Sequence, residues 1–261
     1  MREDLTKDLL PQHGEAIDPV AMARRDLARN LPARFFKEVS VIERDGVFAL
    51  TLDGKGARTP GRNALALPTR AAAQAVAAEW AALDKVIDPG LMPLTRLANS
   101  AIDGVAREAG AVRDEIVKYA GSDLLCYRAG EPDALVRAQA EAWDPVLDWA
   151  REDLGARFIL SEGVMFVAQP LAALDAVRLA VETVAAPFRL AALSSMTTLM
   201  GSAVLALAVA RGHLTPQEAW RAAHVDEDFQ MRAWGADEEA LARRERRWRD
   251  METAATLLAL S

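Results

Sequence analysis

Residues 35–56 read FFKEVSVIERDGVFALTLDGKG, two apolar runs separated by turn residues. Val39, Val41 and Ile42 give the first run its β character, and Asp45-Gly46 supplies the residue pair that a tight hairpin turn needs. In the second run Val47 and Ala49 alternate against Phe48, Leu50 and Leu52, so one face of a strand is apolar. A second turn, Asp53-Gly54-Lys55-Gly56, leads to Ala57-Arg58-Thr59. A third, Pro60-Gly61-Arg62-Asn63, precedes the short run Ala64–Leu67, which Pro68 closes. The stretch predicts a small antiparallel meander. From Thr69 the pattern turns helical, with helices expected over Ala71–Leu83, Leu94–Ile102 and Val112–Tyr119 and breaks at Pro89 and Pro93. A sheet with one apolar face requires cover, and these helices can provide it.

After Gly121 almost every segment reads as helix. Asp133–Trp143 forms one, and Asp144-Pro145 resembles the cap and first position of another that runs to Leu154. Helices follow near 170–186 and 188–211. Thr215-Pro216-Gln217-Glu218 combines a cap, a proline at the first position and a capping-box glutamate, opening a helix to about Trp234, where Gly235 stops it. Glu238–Leu260 is the last. The fold class is therefore α+β: a small antiparallel β-meander with helices in an N-terminal domain over residues 31–120, and an all-helical C-terminal domain over 121–261. Residues 1–30 form a polar leader with a short helical tendency from Pro19 to Arg29.

Composition excludes several classes of function. A chain of 261 residues, 51% hydrophobic and 26% charged, can bury roughly 70–75% of its unfolded surface and needs no staples. The single cysteine, Cys126, permits no internal disulfide and fits a reducing compartment. It reads as a small buried hydrophobe between Leu125 and Tyr127. A net charge of −7 speaks against nucleic acid as a partner. The one basic cluster, Arg243, Arg244, Arg246, Arg247 and Arg249, is interleaved with Glu245 and Asp250 and reads as a solvated helix face. Met1-Arg2-Glu3-Asp4 opens without an apolar run, so neither a secretory signal nor a transit peptide is expected. Leu190–Ala210 is uncharged and long enough to span a bilayer. Its serines, threonines and Gly201 dilute it, so a buried helix is expected and no stable membrane insertion.

No complete catalytic or metal-binding set emerges, and no cofactor is expected. Gly54-Lys55-Gly56 lies in a hairpin turn, where a phosphate loop would need a strand-to-helix context. The histidines are His13, His213 and His224. His224 has Glu227 and Asp228 three and four residues on, which suits either a surface hydrogen-bond cluster or a carboxylate–histidine site with Asp226, and no HExxH pair accompanies it. No GxSxG elbow frames a serine. Two tryptophans stand out as candidate interface anchors, Trp80 beside Glu79 and Trp234 after Glu227 and Gln230. Asp226 falls on the apolar stripe of Ala219, Ala222, Phe229 and Ala233, so it requires a hydrogen-bond partner or a groove.

Longer strings carry more than periodicity does. They include Leu52-Asp53-Gly54 with Arg58-Thr59-Pro60, Ala78-Glu79-Trp80, and Met92-Pro93-Leu94-Thr95-Arg96-Leu97-Ala98-Asn99 followed by Ala101-Ile102-Asp103. Further on come Tyr119-Ala120-Gly121-Ser122-Asp123-Leu124-Leu125-Cys126-Tyr127-Arg128 and Gln139-Ala140-Glu141-Ala142-Trp143-Asp144-Pro145. Leu65-Ala66-Leu67-Pro68, Ile87-Asp88-Pro89, Gly201-Ser202 with Leu205-Ala206-Leu207-Ala208, and Asp226-Glu227-Asp228-Phe229-Gln230 with Trp234-Gly235 complete the set. In these strings, from about Phe35 almost to the C-terminus, the sequence resembles the ATP12 family of chaperones for assembly of the F1 part of ATP synthase. Lys55-Gly56 and Asp84 depart from the pattern in turns or helix ends. The resemblance implies a two-domain α+β and helical fold, no catalysis, and binding of the unassembled F1 α subunit to prevent its aggregation. It implies partner recognition by Glu227 and Gln230 in the C-terminal signature that also holds Asp226 and Trp234, and by Trp80 and Glu79 in the N-terminal part. A bacterial cytoplasm is the expected compartment, or the mitochondrial matrix in a eukaryote.

Overall fold

The computed structural model describes residues 31–163, 165–235 and 237–261. The leader over 1–30, with its helical tendency and His13, lies outside the described residues. Phe36–Ala82 and Pro89–Ser261 together form one compact unit. Residues 31–35 and Leu83–Asp88 form the other, where Ala33 bridges Val86 and the Ile87 N–H donates to the Pro32 carbonyl at 2.8 Å.

The hairpin forms as its turn residues dictate. β1 (Val39–Arg44) pairs antiparallel with β2 (Val47–Leu52) from Val39↔Leu52 to Arg44↔Val47. Asp45 and Gly46 both take positive φ, 52° and 78°, as a two-residue hairpin loop requires. On its other edge β2 pairs with β3 (Lys55–Gly56) and β4 (Ala66–Leu67). Beyond Gly56 the expected strand is reduced to an isolated Arg58↔Ala64 bridge. Leu50, Leu52, Leu65 and Leu67 face the core. Their cover is α1 (Arg70–Ala81), capped by the Thr69 hydroxyl, whose buried Ala72, Ala73 and Val76 permit close approach to the sheet.

α2 (Pro93–Ser100) passes through a wider turn, Ala101–Val105, into α3 (Ala106–Ala120). Asp103 in that turn accepts from the Thr59 hydroxyl (2.6 Å), the Gly61 N–H (2.8 Å) and the Asn63 amide (2.8 Å), pinning the loop beside the sheet to the helix. These donors hold its carboxyl below the usual carboxylate pKa. After α3, β5 (Tyr127–Arg128) precedes α4 (Asp133–Trp149), and β6 (Ser161–Glu162) pairs parallel with β5.

Three expectations for the helical part are corrected. α4 runs unbroken through Pro145, which was expected to start a new helix. An interior proline costs about 3 kcal/mol. Burial of Trp143, Val146 and Trp149 on either side offsets it, and Asp144 pairs with Arg128 at 2.7 Å instead of capping. The single helix expected over 188–211 is two, α6 (Phe188–Met200) and α7 (Ala203–Ala210), preceded by α5 (Leu171–Glu182). Gly201 takes φ +66° and the Ser202 hydroxyl caps Leu205 N–H at 3.0 Å, so the chain stops and restarts. The helix expected over 215–234 is likewise two, α8 (Pro216–Ala223) and α9 (Val225–Trp234), divided at His224. α10 (Glu238–Leu260) matches its expected span and packs along α6.

α6 and α7 form the centre, with Leu190, Leu193, Met196, Leu205 and Leu207 wholly buried. The uncharged run over 190–210 is thus interior on two helices, and no helix among the described residues is long and apolar enough to cross a membrane. Asp123 ties this centre to the end of α3. Fully buried, it accepts from Leu125 N–H (3.2 Å) and Val204 N–H (3.1 Å), and burial pushes its carboxyl up to about 6. Cys126, next to it, is buried as expected, and its thiol is pushed up to about 12 by the same desolvation.

Candidate partner-binding site

The capping box at Thr215 and Glu218 forms in both directions, at 3.2 Å and 2.8 Å, and starts α8 in register. That register turns Trp220 inward against Trp248, with ring centroids 5.5 Å apart, and against His224 at 4.0 Å. His224 Nδ1 lies 2.7 Å from the Trp220 carbonyl. A carbonyl only accepts, so Nδ1 carries the proton and Nε2 is left facing Glu227 at 3.9 Å. His224 is buried, and desolvation lowers its pKa, which keeps the ring neutral at neutral pH.

The divided helix then sorts its acids by direction. Asp226 turns to α4 and accepts from the Gln139 amide at 2.7 Å, while Gln139 accepts from Ala129 N–H at 2.8 Å. Asp228 pairs with Arg244 on α10. Trp143 completes the clamp by donating its indole N–H to the Ala222 carbonyl at 2.7 Å. Glu227, Gln230 and Trp234 lie at positions i, i+3 and i+7, on one face of α9, and all three are exposed. Trp234 is 81% exposed.

The N-terminal pair sits on a different element and is differently used. Glu79 on α1 accepts from the N–H groups of Leu94 (2.7 Å) and Thr95 (2.8 Å) and from the Thr95 hydroxyl (2.7 Å). Met92, the residue at the cap position of α2, makes no side-chain cap bond, so Glu79 closes that helix end from a distance. Trp80 is half-buried against Phe36, with centroids 5.6 Å apart, and its indole N–H is buried without a partner. Of the six residues singled out in the sequence, the structure brings Glu227, Gln230 and Trp234 together on one accessible face. It spends Asp226 and Glu79 on joining helices.

The carboxylate–histidine arrangement is not assembled. His224 is in the core with Glu227 at 3.9 Å from its Nε2, but Asp226 faces Gln139 and does not join the pair. A groove of about 710 Å³ between α8 and α10 is lined by Trp220, Trp248, Leu241, Arg221 and Arg244, and none of the three groups opens into it. No cluster among the described residues could hold a metal ion.

Sequence reasoning passed over residues 155–170, which match neither helical nor strand periodicity. They carry Ile159, Leu160, Met165 and Phe166, all exposed. Two apolar runs flanking Ser161-Glu162-Gly163, in a segment with no periodicity, were the available signal.

The model of the ATP12 chaperone protein family matches residues 33–151. Among solved structures, the Atu1473 protein of Agrobacterium tumefaciens is 48% identical, with a TM-score of 0.86 over 94% of this chain and 92% of that one. Atp12 from Paracoccus denitrificans is 44% identical, with a TM-score of 0.83 over 88% of this chain and 98% of that one. A single-residue variant of the Paracoccus protein matches with the same identity and score, over 88% and 97%.

Proposed function

Because this chain belongs to the ATP12 chaperone family, we propose that it captures the unassembled α subunit of F1 ATP synthase and masks its subunit interface until assembly. An orphan subunit displays the apolar surface that its partner would cover, and such patches associate indiscriminately. A chaperone that covers the patch reversibly needs neither nucleotide nor chemistry. Contact through a large aromatic with polar neighbours suits that task, because the aromatic supplies area and the polar rim keeps the complex releasable. The observation that carries this reading is Trp234, four-fifths exposed on the same face of α9 as Glu227 and Gln230. The diversion of Asp226 to Gln139, and the burial of His224 away from the groove between α8 and α10, support a non-catalytic role. The site of action in this reading is the bacterial cytoplasm, in keeping with the bacterial sources of the similar structures.

Light scattering of F1 α subunit diluted from denaturant, with and without this protein and without ATP, tests the reading. Suppression of aggregation near one-to-one stoichiometry supports it. Unchanged scattering with no co-elution of the two proteins refutes it.

A further inference from the structure

We propose that the arm over residues 158–163 and 165–171, with the outer face of the α5 helix it leads into, grips an apolar client segment flanked by basic residues. This deepens the chaperone reading above and rests on it. Met165 is 76% exposed, Phe166 68% and Leu171 79%. Ile159 and Leu160 add to them at the base of the arm, and Leu179 lies about two turns along the same face of α5 as Leu171. Six large apolar side chains thus share one stretch of 21 residues, where single scattered ones would need no explanation.

The arm is held out by its backbone. The buried Gln169 amide donates to the Ile159 carbonyl at 2.9 Å and accepts from the Ile159 N–H at 2.8 Å, closing the base as a strand partner would. Ser161–Glu162 pairs with Tyr127–Arg128, and Gly163 N–H donates to the Arg128 carbonyl at 2.8 Å. The base of the arm is therefore held by hydrogen bonds on both of its sides, and preorganisation there lowers the cost of binding. Methionine at the tip is flexible and polarisable, which suits a surface that must accept an imperfectly folded partner.

Charge selects the occupant. Residues 144–182 hold seven carboxylates against three arginines. With the ion pairs Arg151 to Asp148 and Glu152, Arg178 to Asp114 and Arg128 to Asp144 set aside, four carboxylates, Asp153, Glu162, Asp175 and Glu182, stand against Arg157. Glu162 lies in the arm itself, and Asp175 sits between Leu171 and Leu179 on α5. An acidic surround of this kind attracts a basic-flanked segment and repels an anionic membrane.

The test pairs the double variant Met165→Ser/Phe166→Ser with two labelled peptides that share one apolar core, flanked by lysines in one and by glutamates in the other. Fluorescence anisotropy should give at least tenfold tighter binding of the lysine-flanked peptide to the wild type, and loss of that preference in the variant. In the α-subunit scattering assay the variant should need several-fold more protein for the same suppression, with an unchanged melting temperature. Equal binding of both peptides overturns the inference, as does a variant that behaves like the wild type. So does sedimentation showing a wild-type dimer that the variant dissolves without losing the peptide. Arm-dependent peptide binding by a protein that fails to suppress α aggregation would keep the arm and refute the α-subunit reading instead.

Discussion

Residues 188–210 and residues 158–171 are both rich in large apolar side chains and meet opposite fates. In the first, Leu190, Leu193, Met196, Leu205 and Leu207 are wholly buried, whereas in the second Met165, Phe166 and Leu171 stand mostly outside. The neighbours make the difference. α6 and α7 pack among α2, α3, α8 and α10, so α7, apolar all round, is buried from Ala203 to Val209, while α6 turns Ser194, Ser195 and Thr198 toward the surface. The arm satisfies its backbone through Gln169 and β5 and leaves its side chains to the surface. Apolarity alone does not mark a core. The interior supplies stability and the arm supplies adhesion, and mutation should separate the two.

The largest effect belongs to the interior. Leu193→Ala should lower unfolding free energy by about 3–4 kcal/mol, read from urea midpoints, with client capture per folded molecule unchanged. A comparable change at the arm, Met165→Ala, should barely move the midpoint, and equal losses at both sites would erase the contrast.

Asp123 gives the interior a pH signature. Its folded pKa, about 6, lies above the ordinary 3.8, so the folded chain holds this proton more tightly than the unfolded one. That contribution is present in full below 3.8 and is lost as pH rises through 6, amounting to an effect on the order of 2–3 kcal/mol. Subtracting the pH profile of Asp123→Asn from that of the wild type should reveal a fall of this sign. A flat difference would place Asp123 outside the account.

Glu79 and Glu227 set the same contrast on a smaller scale. Glu79→Ala removes the acceptor for Leu94 and Thr95 and should cost about 2 kcal/mol. Glu227→Lys should stay within about 0.5 kcal/mol of the wild type and weaken α-subunit capture several-fold. A large stability loss for Glu227→Lys would move that residue into the fold and out of the contact surface.

From sequence these two glutamates were equivalent, since both precede or neighbour a tryptophan on a helix. Their roles depend on which residue from a distant segment comes near, and local pattern holds no record of that. The hairpin was legible because Asp45-Gly46 satisfies a backbone requirement that few other pairs can meet. The break at Gly201-Ser202 carried its own signal, a C-terminal glycine followed by a capping serine, which the continuity of apolar residues concealed. The break at His224 carried none, because it depends on a side chain buried between Trp220 and Glu227. The strings that carry the resemblance in the sequence prove to be largely clamps: Asp103 with Thr59, Glu79 with Thr95, Asp123 with Val204, and Gln139 with Asp226. Such strings identify the fold more directly than they identify the contact surface. The arm escaped notice because a segment without periodicity offers nothing to match.

Hydrogen exchange of this protein alone and in complex with F1 α subunit tests whether the client is held on exposed surfaces. Added protection is expected over 158–163, 165–171 and 225–234, with α6 and α7 unchanged. A complex that leaves both segments unprotected, or that alters only the interior helices, would contradict it.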